Sequence, residues 1–139
     1  MSFFSFRKDE ILRKKKLIDR LFAEGTSFFV YPYKIFWLPA PLESHFPVQI
    51  MFSVSKRTFK NAVDRNRIKR QIREAYRMNK HQLYEHLDHN QQQGVLAIIY
   101  TARVHISSQE IEIKIKAALQ RLFKEIDKKL NNPAPSLSD

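Results

Sequence analysis

Cysteine is absent from the 139 residues, and glycine occurs only at Gly25 and Gly94. Without cysteine there is no disulfide framework and no thiolate metal site, a composition that suits a reducing cytoplasm. Two isolated glycines cannot form a glycine-rich loop that cradles the phosphates of a nucleotide. Acidic side chains are scarce too: 14 Asp and Glu stand against 25 Lys and Arg, a formal net charge of +11. No carboxylate pair, no nucleophile beside a base and no metal-ligand cluster stands out. His86 and His89 lie three apart with His81 nearby, but no carboxylate completes a ligand set, so they read as surface histidines. Asp9, Glu10 and Asp88 read as isolated. No catalytic protein residue, no metal ligand and no small-molecule substrate is therefore expected. Charge interrupts MSFFSFRKDEILRKKK before any apolar run of signal-peptide length, and no later stretch approaches a membrane span. The sequence predicts a soluble cytoplasmic protein with no membrane partner.

What is present is basic charge, concentrated in one place. Residues 56–80, KRTFKNAVDRNRIKRQIREAYRMNK, hold ten Lys or Arg opposed by Asp64 and Glu74 alone, eight of the eleven net charges. On a helix, Arg65, Asn66, Lys69, Arg70, Arg73 and Arg77 share an arc of roughly 140°. Ile68, Ile72, Ala75 and Tyr76 form an apolar stripe beside it, so the helix can dock on a core and present guanidinium groups outward. Like charges at i,i+4 along Arg65, Lys69, Arg73 and Arg77 cost an isolated helix a few tenths of a kcal/mol per pair. A polyanion offsets this by releasing condensed counterions as its phosphates are neutralised. The excess of Arg over Lys favours bidentate phosphate contacts and stacking on bases.

With 43% apolar content, the chain fits one domain over 1–130, with a partly ordered arm over 1–8 and a flexible tail over 131–139. Leu17, Ile18, Leu21 and Phe22 predict a first helix within 13–24, with Gly25 at its C′ position. Arg13, Lys14, Lys15 and Lys16 oppose the dipole at its start, which hints at an anionic ligand. Residues 28–38 read as one strand, chiefly Tyr33–Leu38, with Pro32 marking an edge, bulge or beginning. By alternation Tyr33, Ile35 and Trp37 share one face, and Lys34, Phe36 and Leu38 the other. A second strand is predicted over Val48–Ser55. One long helix should run from the basic segment through Leu83 and Leu87. VLAIIY, Val95–Tyr100, reads as a strand buried on both faces. Ser107 and Glu110 form a capping-box pattern before the last helix. The strand–helix–strand order predicts a crossover, which the general rule makes right-handed. Eleven Phe, five Tyr and one Trp could supply rings for stacking single-stranded nucleic acid.

Ser55-Lys56-Arg57 followed by Ala62-Val63-Asp64-Arg65-Asn66-Arg67-Ile68-Lys69-Arg70-Gln71-Ile72-Arg73-Glu74-Ala75-Tyr76-Arg77 resembles the signature of the bacterial ribonuclease P protein component. The resemblance extends over most of the chain, leaving out residues 1–6 and the tail. It implies an α/β (α+β) two-layer sandwich, with a mixed sheet of about four strands, three helices and a left-handed βαβ crossover, as in a ribosomal protein domain. It also implies a protein subunit that assists a catalytic RNA in Mg²⁺-dependent endonucleolytic removal of the 5′ leader of precursor tRNA. On that resemblance Lys56, Arg57, Arg65, Asn66, Arg67, Lys69, Arg70, Arg73 and Arg77 would bind the catalytic RNA. A cleft between the first helix and the sheet, with Ile18, Phe22 and Tyr33 or Trp37, would hold the leader, and Mg²⁺ would sit mainly on the RNA. Thr58-Phe59-Lys60-Asn61 departs from the family pattern, lacking its glycine and running one residue longer, so the turn before the signature helix should differ. Two other readings fit the composition: a ribosomal-type RNA-binding protein without a role in cleavage, and a protein-only nuclease.

Overall fold

The computed structural model describes residues 5–131, with side chains through residue 128. Four strands form one sheet in the order β1-β2-β4-β3: β1 Thr26–Val30, β2 Tyr33–Pro39, β3 Val48–Val54 and β4 Gly94–Tyr100. β1 and β4 pair antiparallel with β2, while β3 runs parallel to β4. Four α-helices accompany them: α1 Lys15–Glu24, α2 Ala62–Asn79, α3 His81–His89 and α4 Ser108–Asn131. The first four residues and the tail over 132–139 lie outside the described residues.

The larger core lies on one face of the sheet. There Tyr33, Ile35, Trp37, Leu96, Ile98 and Tyr100 meet Ile68, Ile72 and Tyr76 of α2, Leu83 and Leu87 of α3, and Ile111, Ile115 and Leu122 of α4. α1 covers part of the other face, where Leu21 joins Leu12, Leu38, Val95 and Ala97. β4 is buried on both sides because its neighbours and both layers enclose it, as its unbroken apolar run predicts.

The crossover from β3 to β4 is left-handed, and the backbone bonds of β4 give its hand. Gly94 donates its N–H to Pro47 O on the β3 side (2.9 Å), whereas Gln93 O accepts from Ala40 N–H on the β2 side (3.0 Å). Even-numbered residues of β4 therefore turn their polar backbone toward β3, and their side chains toward α2. For L-residues this puts β3 to the right of β4, seen from the α2 side with both strands running upward. The chain then crosses leftward in front of the sheet, the opposite of the general rule.

Three local expectations change. Residues 28–38 are the parts of two strands: Val30 pairs with Tyr33, and Tyr31-Pro32 turns the hairpin between them. Nor does the expected long helix run unbroken. Asn79 Nδ2 donates to Ala75 O (2.7 Å), and regular helix stops at Asn79 to resume at His81. Gly25 has extended rather than left-handed backbone (φ −70°). It is needed for close approach, since a Cβ there would lie 2.4 Å from Leu21 O. Of the capping box expected before the last helix the structure shows the Ser107 half, Glu110 N–H donating to Ser107 Oγ (3.1 Å).

The arm is built into the fold from Ser5 onward. Ile11 bridges to Ile50, and Leu12 N–H donates to Ile50 O (2.9 Å), so the arm lines the outer edge of β3. Phe6 packs edge-on against Phe52 and Tyr76, with ring centroids at 6.4 and 6.1 Å. Glu10, read from sequence as isolated, is instead fully buried and ion-paired with Lys80. Tyr84 donates its hydroxyl to Glu10 Oε1 (2.6 Å), and Lys80 Nζ donates to Ser5 O (2.6 Å). Each buried charge thus has a partner, as a dry interior requires.

Candidate nucleic-acid interface

α2 has the amphipathic form its sequence predicts. Ile68, Ile72, Ala75 and Tyr76 are buried against the core, which fixes the rotation of the helix. Asn66, Arg67, Arg70 and Arg73 are exposed, and Lys69 is half-buried. Among the described residues, Arg67, Lys69, Arg70 and Arg73 form no ion pair. Lys56 and Arg57 are exposed on the turn before the helix.

Two signature arginines are engaged within the protein. Arg65 Nη1 donates to Phe59 O and Lys60 O, both at 2.8 Å. It thereby pins the Thr58–Asn61 turn before the helix, and the Phe59 ring settles 6.1 Å from that of Tyr100. Arg77 Nε donates to Glu74 Oε2 at 3.0 Å. That hydrogen bond and the charge behind it hold the Glu74 carboxyl below the usual carboxylate range. Arg65 and Arg77 therefore flank the unpaired group rather than lead it.

The second candidate surface lies across the sheet, beside α1. Phe22 and Phe36 meet edge to face with centroids 4.8 Å apart, a favoured aromatic geometry. Lys34 Nζ sits 5.4 Å from the centroid of Phe36. Ile18 is half-buried at the border of the α1 core, while Phe22 stays 40% exposed. Tyr33 and Trp37 do not line this surface. Both project from the opposite face of β2 into the main core, where each is at most 1% exposed. Tyr33 donates its hydroxyl to Ile111 O (2.9 Å). The indole of Trp37 fills the space above Gly94, where a Cβ would lie 2.3 Å from its ring. The strand residue beside Phe22 is Phe36, with Lys34 over its ring; alternation groups these two on one face without saying which face α1 covers.

At the start of α1, Lys14 pairs with Glu43 (3.2 Å), while Arg13, Lys15 and Lys16 are exposed. His86 Nε2 lies 2.7 Å from Asp127 Oδ1 and its ring packs on Phe123. Among the described residues no group of three or more His, Asp or Glu converges as a metal site. None of the described helices is long and apolar enough to cross a membrane.

The protein-family model described as Ribonuclease P matches residues 6–127. The ribonuclease P protein component of Porphyromonas gingivalis is 32% identical over 119 residues, covering 86% of this chain and 87% of that protein. That of Chlorobaculum tepidum is 34% identical over 137 residues, covering 92% and 84%. The structure of the Staphylococcus aureus RNase P protein superposes with a TM-score of 0.64 at 20% identity, covering 83% of this chain and 96% of that one. With its basic helix and mixed four-stranded sheet in the family's order, the chain belongs to the ribonuclease P protein family and is a protein component of that ribonucleoprotein.

Proposed function

We propose that α2 binds the catalytic RNA of ribonuclease P and that the Phe22–Phe36 cleft binds the 5′ leader of precursor tRNA, assisting its endonucleolytic removal. The observation that carries this reading is the group of cations on α2, fixed outward by a buried apolar back and left without counterions among the described residues. Such a group suits an RNA backbone, because neutralised phosphates release counterions. Asn66 and the guanidinium groups of Arg67, Arg70 and Arg73 add directional hydrogen bonds. In the cleft, Phe22 and Phe36 offer faces and edges to bases, and Lys34 offers charge to the phosphates between them.

Hydrolysis belongs to the RNA in this account. Mg²⁺ is assigned to the RNA, and the protein side chains bind and orient. By offsetting phosphate repulsion the protein improves substrate affinity and lowers the Mg²⁺ that the RNA requires. The test is reconstitution with precursor tRNA at low Mg²⁺, using protein alone, cognate RNA alone, and both. Cleavage confined to the mixture is expected. Cleavage by protein alone would make the protein a nuclease. No effect on cleavage by the RNA would reduce it to an RNA-binding protein without a role in the reaction.

A further inference from the structure

Two of the most exposed rings lie outside the cleft. Phe29, at the end of β1, is 53% exposed, and Tyr31, in the hairpin turn, is 51% exposed. Single exposed apolar residues are ordinary, but these two pack on one another with centroids 6.3 Å apart. The pairing register places them. Phe29 lies opposite Lys34, and Ser27 lies opposite Phe36, so Phe29 and Phe36 are diagonal neighbours on the same face, about 7–8 Å apart at Cα. The other two corners of that pairing are the small Ser27 and the exposed Lys34. Phe22, Phe36, Lys34, Phe29 and Tyr31 thus form one aromatic and cationic row from α1 to the hairpin tip.

We propose that Phe29 and Tyr31 form a second stacking station for single-stranded RNA, taking leader nucleotides that lie beyond the Phe22–Phe36 cleft. The inference rests on the leader reading of that cleft and extends it. The row is continuous with the cleft, and its spacing suits a strand that advances one or two nucleotides between stations. Its charge favours a nucleic acid over an apolar protein partner, because a hydrophobic surface laid here would desolvate Lys34 without pairing it. Arg103 and His105 are exposed on the segment after β4. That segment is tied to the hairpin turn, Thr101 N–H donating to Pro32 O at 2.8 Å, and the basic Arg103 follows two residues beyond that tie.

The test uses the reconstituted holoenzyme and precursor tRNAs with leaders of about four and about eight nucleotides. Phe29→Ala with Tyr31→Ala should weaken the long-leader substrate by about tenfold, the scale of one lost base stack, and leave the short-leader substrate unchanged. Phe36→Ala should weaken both, and Phe29→Tyr should keep long-leader affinity, because a ring remains. Equal affinities for wild type and the double variant on the long leader would overturn the second station, as would an equal loss on both leaders. Loss of self-association on sedimentation, with long-leader affinity intact, would make the patch a contact between copies and also overturn it. If Phe36→Ala weakens neither substrate, the cleft reading falls and the second station with it.

Discussion

At the scale of single residues, the main surprise is the buried pair of Glu10 and Lys80. Burial pushes the Lys80 ammonium below its ordinary range, against the opposing pull of Glu10. Removing one partner strands the other in the core. Lys80→Met should destabilise the fold by about 3–5 kcal/mol, and adding Glu10→Gln should recover much of the loss. Urea unfolding measures both; additive losses would mean that the two side chains do not act as a pair. Two buried tyrosines and the partly buried Tyr84 make a separate prediction about pH. Burial raises the hydroxyls of Tyr33, Tyr76 and Tyr84 above their ordinary value of 10.0. In this direction the folded state holds protons that the unfolded state has lost, so stability is fully present below pH 10 and falls as pH rises beyond it. Phenolate absorbance for these three should then appear together with unfolding. Titration of all five tyrosines near pH 10 in the folded protein would contradict their burial.

At the scale of elements, α2 was the most legible, because its apolar and basic positions separate cleanly at helical period. Its end was not. Sequence continuity through Leu83 and Leu87 disguises the interruption near Lys80, whose partner lies seventy residues earlier. The hairpin is hidden for a related reason: strand-forming residues stand on both sides of Pro32, which fits an edge, a bulge or a strand start alike, and only the pairing reveals the reversal at Tyr31-Pro32. Strand alternation did sort Tyr33 and Trp37 from Lys34 and Phe36, yet it could not say which set α1 would cover. The same element separates two kinds of arginine. Arg65→Ala should lower stability by about 1–2 kcal/mol, since two charge-assisted bonds to the turn are lost from a partly exposed site. Arg73→Ala should leave thermal stability within about 0.5 kcal/mol of wild type. Equal melting temperatures for the two variants would contradict the pinning role of Arg65.

At the scale of the whole molecule, the left-handed crossover puts α2 on one face of the sheet, while α1 and its aromatic surface occupy the other. The β3 edge between these faces is lined by the arm, which packs Phe6 against Tyr76 of α2 and leads on into α1. No pattern of local propensity contains that arrangement: general chain topology favours the opposite hand, and the arm's aromatic residues lack a period. In the proposed function the outward face of α2 meets the phosphates of the catalytic RNA. That contact is read from the slope of log affinity against log salt for holoenzyme assembly, measured for wild type, Arg70→Ala with Arg73→Ala, and Lys124→Ala on α4. The slope should flatten by about one unit for each phosphate that the α2 variant no longer neutralises, with Lys124→Ala matching wild type. An unchanged slope in the α2 variant would contradict the contact.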